Sequence, residues 1–307
     1  MSDDVVLAGL DGSNPLAFLA AMGALQTLSD VWRDRGVALG WRVEGGWRPY
    51  LRLSIPATPD QVVEALSAAL SSDGAARPFE IADDLKLSAA EFRRWALEAV
   101  EAATASSRRW CDFVAAFGCE GVVNDGVVAD TAFRTMSGAG HQHFLATMRE
   151  LVATTTAEHL RKALFEPWQY DDPLEGRTMR WDPIDDRRYA FRWGNPALDR
   201  TKGRRGAVQG ANRLAIEGLR VFPTAPVSGR LATTGFTGQR STDTCWTWPI
   251  WSGALSVDVV RSLLARAELQ GRAGVTASLR GCGVEAVFRS RRLTVGKLRS
   301  FAPAEAL

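Results

Sequence analysis

The stretch Val5-Val6-Leu7-Ala8-Gly9-Leu10-Asp11-Gly12-Ser13-Asn14-Pro15-Leu16-Ala17-Phe18-Leu19-Ala20-Ala21-Met22-Gly23-Ala24-Leu25 sets the fold class. A short apolar run ends at Asp11-Gly12, which reads as a strand entering a turn. Asn14 then caps a helix with Pro15 at its first position. Phe18, Met22, Leu25, Leu28 and Trp32 recur on one stripe of that helix. The small residues between them, Ala17, Ala20, Ala21, Gly23 and Ala24, allow close packing against a sheet. Only one of the three glycines of a dinucleotide fingerprint is present, so this strand–turn–helix is not read as a Rossmann unit.

Outward from this unit, helices and strands alternate without an internal repeat. Trp41–Ile55 alternates around Gly45-Gly46 and predicts a β-hairpin. Thr58-Pro59-Asp60-Gln61 and Ser88-Ala89-Ala90-Glu91 carry capping-box spacing and open helices. A further helix carries Trp110, Phe113, Val114 and Phe117, with Arg108 and Arg109 at its start. Gly118–Val128 reads as a glycine-rich connection with a short strand at Val127-Val128. Helices follow over about 143–153 and 157–165. The last ninety residues predict strands at 231–236, 244–251 and 284–290, a helix at about 256–268, and a basic finish of Arg289, Arg291, Arg292, Lys297 and Arg299. The fold class expected is α+β, with mixed helices on small antiparallel sheets in two lobes.

Charge divides the chain more sharply than composition does. Residues 1–176 hold 15 Lys/Arg against 25 Asp/Glu, and residues 177–307 hold 22 against 10, giving −10 and +12 within a total of +2. The first part is expected to be an acidic, mainly helical lobe with a small sheet, and the second a basic α+β lobe. Such asymmetry points to a polyanion partner, to subunits packing in an assembly, or to two faces of one molecule that attract each other. Arginine outnumbers lysine 33 to 4, and its planar fork suits phosphate and carboxylate.

An exposed, polar loop is expected over about 194–212, with Ala211-Asn212-Arg213 starting a short helix that carries Leu214, Ile216 and Leu219. Arg200, Lys202, Arg204, Arg205 and Arg213 are its candidate phosphate contacts, and Gln209 and Asn212 its candidate base-edge contacts.

Four cysteines without a Cys-x-x-Cys exclude a zinc ribbon and give no disulfide framework. With an acidic start (Asp3, Asp4) and no long uninterrupted apolar run, a cytoplasmic location is expected.

The chain's three histidines cluster at His141, His143 and His159. Ser137-Gly138-Ala139-Gly140-His141-Gln142-His143 stands at a predicted helix start. Its i, i+2 histidine spacing does not suit a metal pair on a helix, and no acid is placed by sequence to complete one. Ser137, Gly138, Gly140, His141 and His143 are therefore candidates for contact with an anion or another loop, through N–H groups at the helix start. The acids of Arg180-Trp181-Asp182-Pro183 and Asp185-Asp186-Arg187-Arg188-Tyr189 have arginine neighbours, which predicts depressed carboxyl pKa values and an ion-paired network. Cys245-Trp246-Thr247-Trp248-Pro249-Ile250-Trp251 reads as a strand packing Trp246 and Trp248 on one face. No nucleophile elbow, Walker loop or helicase signature occurs, so no catalytic residue, metal or cofactor is assigned.

Several of these stretches together resemble proteins encoded in type I-G (formerly I-U) CRISPR loci, in the group of the helicase-nuclease extension and the Cascade large subunit. They are Gly9–Leu25, Ser137–Phe144, Arg180–Pro183 with Asp186–Ala190, and Gly210-Ala211-Asn212-Arg213-Leu214-Ala215, in order over most of the chain. The resemblance implies a non-catalytic subunit of a ribonucleoprotein effector in antiviral defence. Its partners would be crRNA, target DNA, other effector subunits and the helicase-nuclease. In such systems guide pairing reads sequence while protein reads backbone, shape and a short flanking motif. Two other readings stay open: a metal-dependent nuclease using His141, His143 and carboxylates, and a protein–protein adaptor recruiting the helicase-nuclease.

Overall fold

A computed structural model describes residues 4–104, 107–136, 138, 143–174, 177–185, 206–238, 243–271, 274–295 and 298–307. The fold is α+β, with helices set on small antiparallel sheets. Its centre is a pair of helices, α1 (Pro15–Val31) and α7 (Gln209–Gly218). Asn14 caps α1 by accepting from the N–H groups of Leu16 and Ala17. From Pro15 to Leu28 every residue of α1 is buried, so the expected stripe has no solvent side. The small residues serve helix–helix contact as much as helix–sheet contact. A Cβ on Gly23 would lie 1.8 Å from the Leu214 carbonyl oxygen, and one on Gly218 would lie 2.2 Å from that of Leu19. Only glycine at both positions lets the two backbones touch.

On its other side α1 carries the aromatic core. Phe18 stacks on Trp41 with ring centroids 5.5 Å apart and meets Trp246, Trp248 and Trp251. Trp41 belongs to β2 (Ala38–Val43), which pairs with β3 (Trp47–Arg52) and, through it, β1 (Val5–Val6) in the order β1-β3-β2. The three tryptophans belong to β9 (Cys245–Trp251). Trp248 and Trp251 donate their indole N–H groups to the Gly12 and Leu39 carbonyls, which ties the two sheets together.

Around this centre stand α2 (Pro59–Leu70), α3 (Ala89–Glu101), α4 (Arg109–Phe117), α5 (Phe144–Thr154) and α6 (Ala157–Phe165). The capping boxes expected at Thr58–Gln61 and Ser88–Glu91 are formed. Where a connection was expected, β4 (Gly118–Asn124) and β5 (Val127–Asp130) form a hairpin, with only its second strand foreseen. A second hairpin, β6 (Thr224–Val227) and β7 (Arg230–Thr233), packs beside it. The strand β8 (Phe236–Thr237) borders β9, and β9 pairs with the long β10 (Val284–Val295). β10 turns back into β11 (Leu298–Phe301) and also pairs with β12 (Glu305–Ala306). The helix α8 (Val257–Leu264) and the short α9 (Ala277–Gly281) lie between β9 and β10.

The expected boundary near 176/177 does not divide the core. One cluster of buried apolar side chains runs from Val5 to Phe301, and the central helix pair takes one member from each half. Carboxylates of the acidic half also meet arginines of the basic half inside the molecule: Arg220 binds Asp30 and Asp112, and Arg261 binds Asp112. Among the described residues no helix is long and apolar enough to cross a membrane. Cys111, Cys119, Cys245 and Cys282 form no disulfide.

Candidate functional site

The segment from Asp130 to Met136 is held by side chains and carbonyls from the far half of the chain. Phe133, fully buried, anchors it among Trp181, Phe222, Phe236 and Trp246. The Trp181 indole donates to the Phe133 carbonyl at 2.9 Å, and the Thr135 hydroxyl donates to that of Met179 at 2.6 Å. Arg134 is buried and forms ion pairs with Asp130 and, at 2.6 Å, with Asp84. Two backbone carbonyls of the segment hold arginines from the far end of the chain. Arg292 donates from Nη1 to the Ala132 carbonyl at 2.8 Å, and Arg299 donates from Nη1 to the Arg134 carbonyl at 3.3 Å.

Strand register explains why those two arginines meet. Arg292 lies opposite Phe301, and Thr294 opposite Arg299. Directly paired residues share a face, and so do residues two apart, so Arg292, Arg299 and Phe301 project to one side of the β10–β11 hairpin. Phe301 goes into the core, against Phe236 and Trp246. The arginines beside it lie at the edge of that core, both half-buried. Burial, and then the neighbouring Arg299 charge, pull the Arg292 guanidinium down to about 10, with Asp130 acting in the other direction. Arg292 therefore stays cationic at neutral pH. Among the described residues no carboxylate lies within ion-pair distance of either arginine. The nearby Asp130 is already engaged by Arg134, and burial pushes its carboxyl up.

These arginines line a groove of about 810 Å³, within the roughly 300–1,000 Å³ span of ligand-sized sites. Its walls are the β4–β5 and β6–β7 hairpins. Each hairpin turns through two residues of positive φ, Asp125-Gly126 and Ser228-Gly229, as a type I′ turn requires. Among the described residues, the charged side chains lining the groove are Arg230, Arg292, Arg299 and Asp130. Hydroxyls of Thr131, Thr237 and Thr244 lie among them. Guanidiniums held in place by carbonyl contacts keep N–H donors of the charge-assisted kind that suits anions.

Other residues singled out in the sequence lie elsewhere. Gln209, Asn212 and Arg213 were expected at an exposed nucleic-acid surface, where the loop passes into a short helix; the helix is there, but the exposed surface is corrected. All three belong to α7 and are buried. Gln209 donates to the hydroxyls of Thr154 and Thr155. Asn212 accepts from the Met179 N–H at 2.8 Å and donates to the Val208 carbonyl. Arg213, with no exposed side-chain surface, pairs with the equally buried Glu217 at 2.9 Å and donates to the Leu70 carbonyl. Polar side chains in a helix that packs on all sides satisfy the fold rather than a ligand. Arg200, Lys202, Arg204 and Arg205 lie outside the described residues, as do Ser137, Gly140 and His141.

Gly138 has a φ of +71°, and a Cβ there would lie 2.1 Å from the Asp84 carboxylate. It is in contact with the Asp84–Arg134 ion pair, next to a negative charge. His143 is the half-buried N-cap position of α5, where its carbonyl accepts from the N–H and hydroxyl of Thr147.

The ion-paired reading of the 180–189 acids is corrected at Asp182. Its oxygens accept from Asn14 Nδ2 at 3.3 Å, the Tyr170 hydroxyl at 3.2 Å and the Ile184 N–H at 3.0 Å. Burial, and then the nearby Asp185, push its carboxyl up to about 7 rather than down. Sequence neighbours were poor guides here because the core lies on one side of this turn. The histidine outside the glycine motif, His159, lies 3.6 Å from Asp172 and accepts from Thr156 in a capping box on α6. Among the described residues no group of three or more His, Cys, Asp or Glu side chains is placed to hold a metal ion.

The groove itself went unread in the sequence. Its signals were the basic finish, of which Arg292 and Arg299 are members, and the turn pairs Asp125-Gly126 and Ser228-Gly229. None of these says that the finish folds back onto Ala132 and Arg134, some 160 residues earlier. No family model matches this chain, and no curated protein matches it.

Proposed function

We propose that this chain is a non-catalytic nucleic-acid-binding subunit of an RNA-guided effector of the type I-G kind, and that the Arg292–Arg299 groove takes the sugar-phosphate backbone. The carrying observation is a pair of guanidiniums held by carbonyls, Arg292 and Arg299, with no carboxylate at ion-pair distance among the described residues, in the lining of one groove. An arginine paired to a carboxylate has its charge neutralised. One oriented by a carbonyl keeps it for a phosphate. Contacts of this kind position a strand and carry no sequence information, which suits a complex in which guide pairing does the reading. Arg200, Lys202, Arg204 and Arg205 remain in the proposal on their charge alone.

The test is binding of labelled nucleic acid across a salt series by the wild type and an Arg292→Gln, Arg299→Gln variant. Affinity should fall, and the slope of log K against log salt should flatten by about 1 to 2, close to one for each phosphate that no longer meets a cation. Unchanged affinity and slope in a folded variant would remove the groove from the interface.

A further inference from the structure

We infer that the groove is built for a single strand rather than a duplex, an inference that rests on the nucleic-acid reading above. The first reason is where the charge lies. Arg292 and Arg299 are half-buried on the floor, each held against a backbone carbonyl of the Asp130–Met136 segment. A duplex carries its phosphates on a convex perimeter and is met by cations that project from a surface. Recessed cations between two hairpins are reached by a backbone that can enter the groove. A single strand is thin and pliable enough to do so.

The second reason is the walls. Beside the cations the groove is lined by Val227, Leu231, Phe236 and Ala132. Val227 is 55% exposed on the rim beside the Ser228-Gly229 turn. Phe236 is half-buried, and its ring is held in place by Trp246, nearly parallel at 6.1 Å, and by Phe133 at 4.7 Å. A duplex hides the faces of its bases, so apolar walls give it nothing. An unpaired strand exposes those faces, and a fixed aromatic wall beside a cationic floor is the pairing that single strands use, with phosphate on charge and base on ring. The geometry assigns the backbone to the Arg292–Arg299 floor and a base to the Phe236 side of the groove.

Fluorescence polarisation with oligo(dT) and with a hairpin duplex of equal length tests this. Oligo(dT) is expected to bind at least about tenfold tighter. Phe236→Leu should weaken oligo(dT) binding about threefold to tenfold and leave the salt slope unchanged. Photocrosslinking of wild-type protein to oligo(dT) carrying 5-bromouracil avoids any folding defect of the variant. The crosslinked peptide should fall within residues 227–238. Duplex binding equal to or tighter than single-strand binding, or crosslinks confined to other regions, would overturn the strand assignment. If both ligands bind alike and both weaken in Arg299→Gln, the groove reading stands and the strand inference alone falls. If neither ligand binds, both fall together.

Discussion

Two arginine clusters in this molecule sit in opposite circumstances. Around Glu217, Arg109, Arg213 and Arg220 converge on one carboxylate with no exposed surface. Asp30, Asp112 and Arg261 extend the cluster to α1, α4 and α8. At the groove, Arg292 and Arg299 meet carbonyls instead. The first cluster is closed and near neutral, while the second is open and cationic. The residue type is the same, so the difference teaches that an arginine's role is set by what faces it. Where a buried carboxylate meets it, the charge is consumed in joining helices. Where a carbonyl meets it, the side chain is fixed but its charge is left over. The charge division along the sequence is thus partly internal, since acids of the first half neutralise arginines of the second.

Removing the shared carboxylate should break this comparison most violently. Burial works against the Glu217 charge, but Arg109 and Arg213 outweigh it and hold the carboxyl far below its usual range. Glu217→Gln would strand Arg213 in the core, at a cost of about 3–5 kcal/mol in urea unfolding. Because the folded-state pKa is depressed, the contribution of Glu217 is present above its unfolded pKa and is lost as pH falls below it. An acid-unfolding transition unchanged by Glu217→Gln would contradict that assignment.

Asp182 tests the opposite sign. Its folded-state pKa of about 7 lies above the unfolded value, so its contribution is full at low pH and is lost as pH rises toward 7. The swing is on the order of a few kcal/mol. Asp182→Asn should flatten the fall in stability between about pH 4 and 7, measured by thermal melts across that range. Equal slopes in the two proteins would show that the Asn14–Tyr170 pocket holds a carboxylate without strain.

A smaller effect is expected at the helix pair. Helix propensity alone favours Gly23→Ala by roughly 1 kcal/mol. The 1.8 Å approach to the Leu214 carbonyl reverses the sign and predicts a net loss of about 1–3 kcal/mol in chemical denaturation. A stabilised variant would mean that α1 and α7 can separate at no cost.

The smallest stability change belongs to the groove. Arg299→Gln should alter the melting free energy by less than about 1 kcal/mol while weakening nucleic-acid binding and its salt dependence. Together with Glu217→Gln, it separates the cluster that holds the fold from the one proposed to hold a ligand. A large loss of stability in Arg299→Gln would merge the two.

The elements were legible in the sequence where the signal is local. The Asn14-Pro15 start, the two capping boxes and the Gly45-Gly46 hairpin each depend on contacts within a few residues, and each formed. The packing of Trp246 and Trp248 on one face follows from strand period alone, and their rings lie 4.4 Å apart. The β4 strand escaped because Gly118-Cys119-Glu120-Gly121 lacks a strand's alternation, and pairing with β5 supplies what propensity does not. The exposed-loop reading of 194–212 ran too far because Gln209, Asn212 and Arg213 look like surface residues one at a time. Their partners, Thr154, Met179 and Glu217, are set by helix packing.

The sequence by itself determined the α+β class, the helix starts, the charge division and the presence of more arginine than the acids beside it can absorb. Tertiary structure decided which arginines are absorbed. Glu217 lies one helical turn from Arg213, but Arg109 reaches it from 108 residues away, and Arg292 reaches Ala132 from 160. Local spacing fixes caps, turns and strand faces because those depend on neighbours along the chain. The partner of a long cationic side chain depends on which distant backbone or carboxylate the core brings within about 3 Å, the reach of a hydrogen bond. That is a property of packing, and here it separates structural arginines from those left facing the groove.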